Sequence, residues 1–321
     1  MRGLNGKNVL ITGGAGFIGS HLAEPVLEAG AAKLVILDNF FVGKMGNLSA
    51  VKDKTNVIVY REDASDLHAV EAVVRNEHIQ VVYNMATMAL NYSFFNPHTA
   101  CMVNIRIADT LLHLLRNGEF ESLIHMSSSE AYGTALYAPM DENHPLNPTT
   151  PYAAGKASAD LMVKSFCNLY NLDAIIIRPF NNYGPRQNID GGLAGIIPVT
   201  VRRVLAGEKP VVEGGGLQTR DYIYVSDTCR ALISAYGHDG LGGEIINLGS
   251  GTEYKIIDII NYICSYIGYK GEIEFREGRP ADVKRLCASS EKAKNLLGFE
   301  AEISFEEGMA KTLDWYLSGY H

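Results

Sequence analysis

Short apolar runs separated by amphipathic stretches recur along the first 180 residues. Asn8-Val9-Leu10-Ile11-Thr12, Leu34-Val35-Ile36-Leu37, Val57-Ile58-Val59-Tyr60, Val81-Val82-Tyr83-Asn84, Ser122-Leu123-Ile124-His125-Met126 and Ala174-Ile175-Ile176-Ile177 are such runs. They lack the alternation of a sheet with one wet face, so they read as strands buried on both sides. Between them the spacing becomes helical, as in the amphipathic stretch from Asn104 to Leu115 and in Ala157, Leu161, Met162 and Phe166. Strands alternating with helices predict an α/β domain with a parallel sheet and helices on both faces. Pro25 falls inside the first predicted helix, where it should cost a hydrogen bond and kink the chain.

After Arg178-Pro179-Phe180-Asn181-Asn182-Tyr183-Gly184-Pro185-Arg186 the pattern changes. Glycine and proline thicken and the helices shorten. The runs at 211–213 and 220–225 read as short strands around a glycine turn, and the run at 244–249 as one more strand of the main sheet. The tail carries two predicted helices, 256–267 and 305–317, around Glu274-Phe275-Arg276. The expected division is a main domain over 1–180 with a returning segment near 226–249. A smaller, interleaved α/β unit over 181–225 and 250–321 lies across its crevice.

Composition narrows the function. The chain has 321 residues, 47% of them apolar and 20% charged, with a net charge of −8. No basic run is present, which argues against a nucleic-acid binder. No apolar run reaches membrane-spanning length. Cys101, Cys167, Cys229, Cys264 and Cys287 are scattered, with no Cys-x-x-Cys pair and no histidine cluster. No metal site is expected, and the cysteines read as reduced thiols of a cytoplasmic protein. The first strand begins by Asn8, which leaves no room for a signal peptide.

The candidate chemistry sits at strand ends. Gly13-Gly14-Ala15-Gly16-Phe17-Ile18-Gly19 joins the first strand to a helix, the context in which a glycine motif cradles a pyrophosphate. Gly13 suits the tight turn, Gly16 the approach of a phosphate and Gly19 close helix packing. Asp38 ends the second strand, about twenty residues on, where a carboxylate accepts from an adenosine ribose and repels a 2′-phosphate. This favours NAD over NADP, although a turn aspartate also fits the position. Ala86, Ser128 and Glu130 follow two further strands, so the signals converge on one crevice. Tyr152 and Lys156 are four residues apart on a predicted helix, hence on one face. A lysine there favours the phenolate and lowers the phenol's pKa, fitting it for proton exchange with an alcohol or ketone. Taken alone, the pair also fits an ordinary helix surface.

Together these motifs resemble the extended short-chain dehydrogenase/reductases that modify nucleotide sugars, the epimerases, 4,6-dehydratases and hexuronate decarboxylases. The resemblance rests on residues 12–19, Asp38, 127–133, Tyr152 with Lys156, 178–186, and Gln218-Thr219-Arg220-Asp221-Tyr222-Ile223-Tyr224-Val225-Ser226-Asp227. It implies a Rossmann-like doubly wound sheet with a smaller C-terminal substrate domain, and NAD as cofactor. Contacts to NAD are implied for Gly13, Gly16, Phe17, Ile18, Gly19, Asp38, Asn39, Asp63, Ala64, Ala86, Asn104, Tyr152 and Lys156. Tyr152 is the implied base, with Lys156 and Ser128 its partners. A nucleotide diphosphate sugar is implied at Ser128, Ser129, Asn181, Arg186, Arg220, Arg279 and Asp282. The resemblance also implies a homodimer through two helices per subunit, roughly 100–116 and 152–170.

Glu130 discriminates within the family. Simple 4-epimerases usually lack a glutamate there, while dehydratases and decarboxylases usually carry it. If the segment is extended, Ser128 and Glu130 face the same side. Ser129 stands where glucose-type dehydratases carry an aspartate. The expected reaction is therefore 4,6-dehydration or decarboxylation of a nucleotide hexose, a uridine one by preference, through a 4-keto sugar. Sugar 4-epimerisation is the alternative. A 4-keto-sugar reductase or a non-catalytic NAD-binding regulator fits less of the motif set.

Overall fold

The computed structural model describes residues 2–278 and 282–319. Its main layer forms in chain order from β1 (Asn8–Thr12), α1 (Phe17–Glu28), β2 (Lys33–Leu37), β3 (Val57–Tyr60), α2 (Leu67–Asn76), β4 (Val81–Asn84), α3 (Pro97–Arg116), β5 (Ser122–Met126), α4 (Pro151–Tyr170) and β6 (Ala174–Pro179). The smaller unit begins with β7 (Asn181–Tyr183), α5 (Ile196–Leu205), β8 (Val211–Glu213) and β9 (Thr219–Tyr224). The chain then returns through α6 (Val225–Gly237) and β10 (Ile245–Leu248) and continues with β11 (Glu253–Lys255), α7 (Ile256–Ile267), β12 (Glu274–Arg276), α8 (Glu291–Leu297) and α9 (Phe305–Leu317).

The large sheet is parallel, in the order β3-β2-β1-β4-β5-β6-β10. Its order reverses between β1 and β4, the switch point at which such sheets open a ligand crevice. The apolar runs are continuous because both faces are covered. Val9 and Ile11 of β1 pack with Leu34 and Ile36 of β2 and residues of α1 and α6. Leu10, Val35 and Leu37 point the other way, into a core with α2, α3 and α4. A third core, rich in tyrosine around Phe305, holds the smaller unit together.

Local signals set the helix ends. Thr150 caps α4 by accepting from the Ala153 amide, with Pro151 in the first turn, and Asn96 caps α3 in the same way ahead of Pro97. This cap starts α3 seven residues before the amphipathic stretch read from the sequence. Pro25 does not end α1, which runs on to Glu28. The runs at 211–213 and 219–224 do not pair with each other. β8 pairs with β12, and β9 lies between β7 and β11. Helix α8 is short and has no side-chain cap, so it escaped the sequence pattern. Its Ala293 and Leu297 pack into the main core rather than the smaller unit.

A buried ion pair lies under the crevice. Arg178 of β6 and Asp160 of α4 are both about 1% exposed and meet at 2.5 Å. Ser127 donates to the same Asp160 oxygen at 2.7 Å, and the Tyr132 ring lies 4.3 Å from the guanidinium. Removing one partner of such a pair strands the other charge. Arg178→Met is therefore expected to cost about 3–5 kcal/mol in urea unfolding, and adding Asp160→Leu together with Lys156→Met, which clears every charge of the cluster, to recover most of it. A triple variant as unstable as the single one would contradict this assignment.

Candidate active site

The site is assembled from strand ends. Gly13 turns the chain out of β1 with a φ of +65°, and a Cβ there would lie 2.6 Å from the Ala86 amide nitrogen at the end of β4. Gly19 sits against the same turn, with room for no Cβ, 2.4 Å from the Gly13 carbonyl. At Gly16 a Cβ would meet only that carbonyl, at 3.1 Å, so its outer side is open. The first-turn amides of Phe17, Ile18 and Gly19 have no preceding helical carbonyl to bond. Together they form a cradle suited to a phosphate.

Asp38 is buried beside this turn. Its carboxylate accepts from the amides of Ala15 at 2.9 Å and Phe40 at 2.8 Å. Burial raises its pKa against the pull of these bonds. Asn39 donates to Asp63 at 3.1 Å. Burial of Asp63 is outweighed by bonds from Ser65 and Asn39, which hold its carboxyl below the usual range. Ala64 is buried next to it. The glycine turn, Asp38, Asn39 and Asp63 thus gather along one side of the crevice, and their cradle and acceptors fit a dinucleotide.

Tyr152 and Lys156 are buried one turn apart on α4. The Lys156 ammonium donates to the Met126 carbonyl at 3.0 Å. Burial lowers its pKa to about 8, with Asp160 opposing. The phenol does not follow the expectation of a lowered pKa. Burial pushes it up to about 12 with help from the charges of Glu130 and Asp160, against the hydroxyls of Ser128 and Thr87. Desolvation of the phenolate outweighs those hydroxyls here.

Ser128 and Glu130 are brought together, but not by strand alternation. Residues Ser129–Tyr132 form a 3-10 turn, and the Ser128 hydroxyl caps it by accepting from the Glu130 amide at 3.2 Å. Glu130 lines a cavity of about 630 Å³ that also touches Thr150, Asn181, Arg220 and Asp282. Asn181 donates to the Asp221 carbonyl at 3.2 Å, and Arg220 pairs with Asp282 at 3.0 Å. Leu90, Asn91, Phe94 and Phe95 form another wall of this cavity. Asn91 crosses to the Ala194 carbonyl at 2.8 Å, and Lys44 meets Asp190 at 2.5 Å.

Three of the expected contact residues are engaged within the protein. Arg186 takes a left-handed φ of +64° and turns back to α1, donating to the Ser20 carbonyl at 3.0 Å and facing Glu24. It lines a separate small cleft with Phe17 and Trp315. Ser129 is buried within its turn. Asn104 is buried in α3 and spends its amide on Thr87, Met88 and Ala100. Arg279 lies outside the described residues. Asp160 and Thr87 were not picked out from the sequence. For Asp160 the signal was the spacing of 152, 156 and 160 along one helix face. For Thr87 it was its place just beyond the end of β4.

The family model described as GDP-mannose 4,6 dehydratase matches residues 10–312. The chain is 32% identical to a putative UDP-glucose 4-epimerase of Methanocaldococcus jannaschii, over 96% of this chain and 97% of that one. The crystal structure of a dTDP-glucose 4,6-dehydratase from Streptomyces venezuelae with NAD and TYD bound superposes with a TM-score of 0.91 at 27% identity, covering 97% of both chains. A UDP-glucose 4-epimerase from Thermotoga maritima with UDP-glucose superposes with a TM-score of 0.90 at 30% identity, covering 98% of this chain and 100% of that one.

The buried ammonium has a measurable cost. Lys156 titrates near 8 in the fold against 10.5 in the unfolded chain, so the unfolded state binds the extra proton between these values and stability rises with pH across that window. Lys156→Met is expected to be about 2–3 kcal/mol more stable than the parent at pH 7 when freed of nucleotide. That advantage should fade toward pH 10.5, and denaturant unfolding at a series of pH values measures it.

Proposed function

The chain belongs to the NAD-dependent epimerase/dehydratase family of extended short-chain dehydrogenase/reductases, and we propose that it is a 4,6-dehydratase or hexuronate decarboxylase of a nucleotide hexose, a uridine one by preference. Enzymes of this family act on nucleotide sugars with NAD. The observation that carries the finer reading is Glu130, a carboxylate on the wall of the main cavity whose charge reaches the Tyr152 phenol.

In this reading each group of residues has a part. The glycine cradle, the α1 amides, Asp38, Asn39 and Asp63 hold the dinucleotide. NAD supplies the hydride acceptor, and later the donor, for the sugar. Tyr152 takes the proton of the 4-hydroxyl as its hydrogen leaves C4 as hydride, giving a ketone. Ser128 hydrogen-bonds that oxygen. The ketone acidifies C5–H, which places Glu130 to remove the C5 proton and to serve the departing C6 oxygen, directly or through water. Return of the hydride to C6 and a proton to C5 closes the cycle with net loss of water. In a hexuronate the same ketone would release the carboxylate as carbon dioxide. Arg220, with Asp282 and Asn181, is placed to hold the diphosphate. Asp38 supports NAD over NADP through repulsion of a 2′-phosphate.

Epimerisation at C4 is the second reading, favoured by the likeness to the two epimerases. Mass spectrometry after incubation with a panel of uridine, thymidine and guanosine diphosphate sugars separates the three. A loss of water means dehydratase, a loss of carbon dioxide decarboxylase, and an isomer of unchanged mass epimerase. Tyr152→Phe is expected to lower turnover by about 10²–10⁴-fold. Glu130→Gln should still exchange the C4 hydrogen with the cofactor yet form product more slowly by a similar factor. Undiminished turnover in Glu130→Gln would reduce that residue to a structural part.

The same reading includes a homodimer. Its support is the outer face of α4, where Leu161, Leu169 and Tyr170 stay exposed, next to α3. The five cysteines are unpaired, which supports a reducing, cytoplasmic setting. Among the described residues no helix is long and apolar enough to cross a membrane. Leu161→Glu with Leu169→Glu is expected to halve the mass seen by light scattering. A monomeric parent protein would refute the dimer.

A further inference from the structure

Gln218 stands one residue before β9, and every second side chain from it onward lines the main cavity. Gln218, Arg220 and Tyr222 share that wall, as side chains on one face of an extended strand do, about 7 Å from one to the next. β7 pairs alongside Tyr222 and brings Asn181 to that end of the row, just beyond the end of β6 in the large sheet. The other end, at Gln218, abuts Glu213 at the close of β8. The row therefore runs from the large sheet, through Arg220, to the far side of the smaller unit.

The Gln218 amide has one orientation. Its nitrogen donates to the Glu213 carbonyl at 2.9 Å and to Asp282 Oδ2 at 3.3 Å. Both partners are acceptors, so turning the amide over would set oxygen against oxygen twice. Its two hydrogens are thus spent inside the wall. Oε1, at the opposite corner of the amide, receives no hydrogen bond from the described residues. It is an acceptor with a fixed position and free lone pairs. Asp282 ties it to the cation, since its other oxygen takes Arg220 at 3.0 Å. A further Arg220 N–H goes to the Thr219 carbonyl at 3.0 Å.

We propose that Gln218 is a specificity-determining residue for the nucleoside, its Oε1 accepting a hydrogen bond from a ring N–H of the base or from a ribose hydroxyl. The inference rests on the reading of Arg220 as the ligand of the diphosphate. With the diphosphate there, the hexose lies toward Asn181 and Glu130, which both follow strands of the large sheet. The nucleoside then extends the other way along the row. The wall on that side is apolar at Val211 and Ile256, and the Ile256 amide donates to the Gln218 backbone carbonyl at 3.1 Å. Apolar walls suit the faces of a base, but a donor buried among them without an acceptor costs about 1–3 kcal/mol. Uracil, thymine and guanine each carry a hydrogen on the ring nitrogen concerned. Cytosine and adenine present a lone pair there, which Oε1 repels.

The test measures nucleotide binding to the NAD-loaded protein by calorimetry. The tightest binder among UDP, dTDP and GDP is compared with analogues that each lack one donor. A ribose hydroxyl is removed by deoxygenation, and the ring N–H by exchanging uracil or thymine for cytosine, or guanine for adenine. Gln218→Met keeps the bulk of the side chain and removes the acceptor. It is expected to weaken the full nucleotide about 3- to 10-fold, the worth of one neutral hydrogen bond. One analogue should already be weaker by that factor on the unaltered protein and lose nothing more on Gln218→Met. Its identity separates a base donor from a ribose donor. Inorganic pyrophosphate should bind both proteins alike, because Arg220 keeps Asp282. An equal loss with every analogue, or a loss with pyrophosphate as well, would overturn the proposal and leave Gln218 a support for Asp282 and Arg220. So would undiminished affinity in Gln218→Met. Failure of all three nucleotides to bind would sink the functional reading too, an outcome distinct from these.

Discussion

A positive charge kept away from water is the constraint around which this molecule is arranged. Lys156 is only 3% exposed, and an isolated ammonium at such a depth would shed its proton. Asp160 answers it from one turn further along α4, and Asp160 is in turn held by Arg178 and Ser127. The arrangement draws on α4, the end of β5 and β6, so three elements must be in register before the lysine can remain charged. This explains why so costly a set of groups sits beneath the crevice. The same α4 carries Tyr152 one turn the other way, and the fold that sustains the charge also sets the height of the phenol.

Much of this was legible in the residues. The glycine turn, Asp38 and the six apolar strands of the main layer declare themselves because a parallel sheet covered on both faces needs unbroken apolar runs, and a strand-to-helix turn that admits a phosphate needs glycine. Helix boundaries were readable at 256–267 and 305–317, where apolar spacing is dense. Other features were hidden for physical reasons. Glu130 faces the cavity from a 3-10 turn rather than from an extended strand, since the cap made by Ser128 curls the chain at once. Arg186 sits in a motif rich in ligand-type side chains, yet a left-handed backbone sends it back to α1. The raised phenol pKa follows from depth of burial, a quantity that no local spacing reveals. The partners of β8 and β9 are non-local, and no stretch of sequence names them.

The crevice joins two kinds of surface. On the side of the large sheet it is lined by backbone amides and short carboxylates, fixed by the geometry of strand ends. On the side of the smaller unit it is lined by side chains, among them Arg220, Asp282 and Asn181. Asp221 ties the second group to the first. Its carboxylate is fully buried and accepts from the amides of Ser250, Gly251 and Ala288 as well as the Ser250 hydroxyl. The neighbour of Arg220 in sequence therefore anchors the strand to the loop after β10 and to the segment that precedes α8. The Arg220 guanidinium on the cavity wall inherits its placement from a neighbouring carboxylate that is itself buried.

The order in which the chain visits its two units has an evolutionary corollary. It leaves the large sheet after β6, returns for α6 and β10, leaves again for β11, α7 and β12, comes back at α8 and departs for α9. No single cut yields two self-contained pieces. A lineage built this way cannot acquire a new substrate by exchanging one half for a foreign module, as proteins with consecutive domains do. Change has to come residue by residue at the cavity wall, or by replacing a loop such as 90–95 or 186–195. Such wiring ties any change of substrate to local change within one architecture.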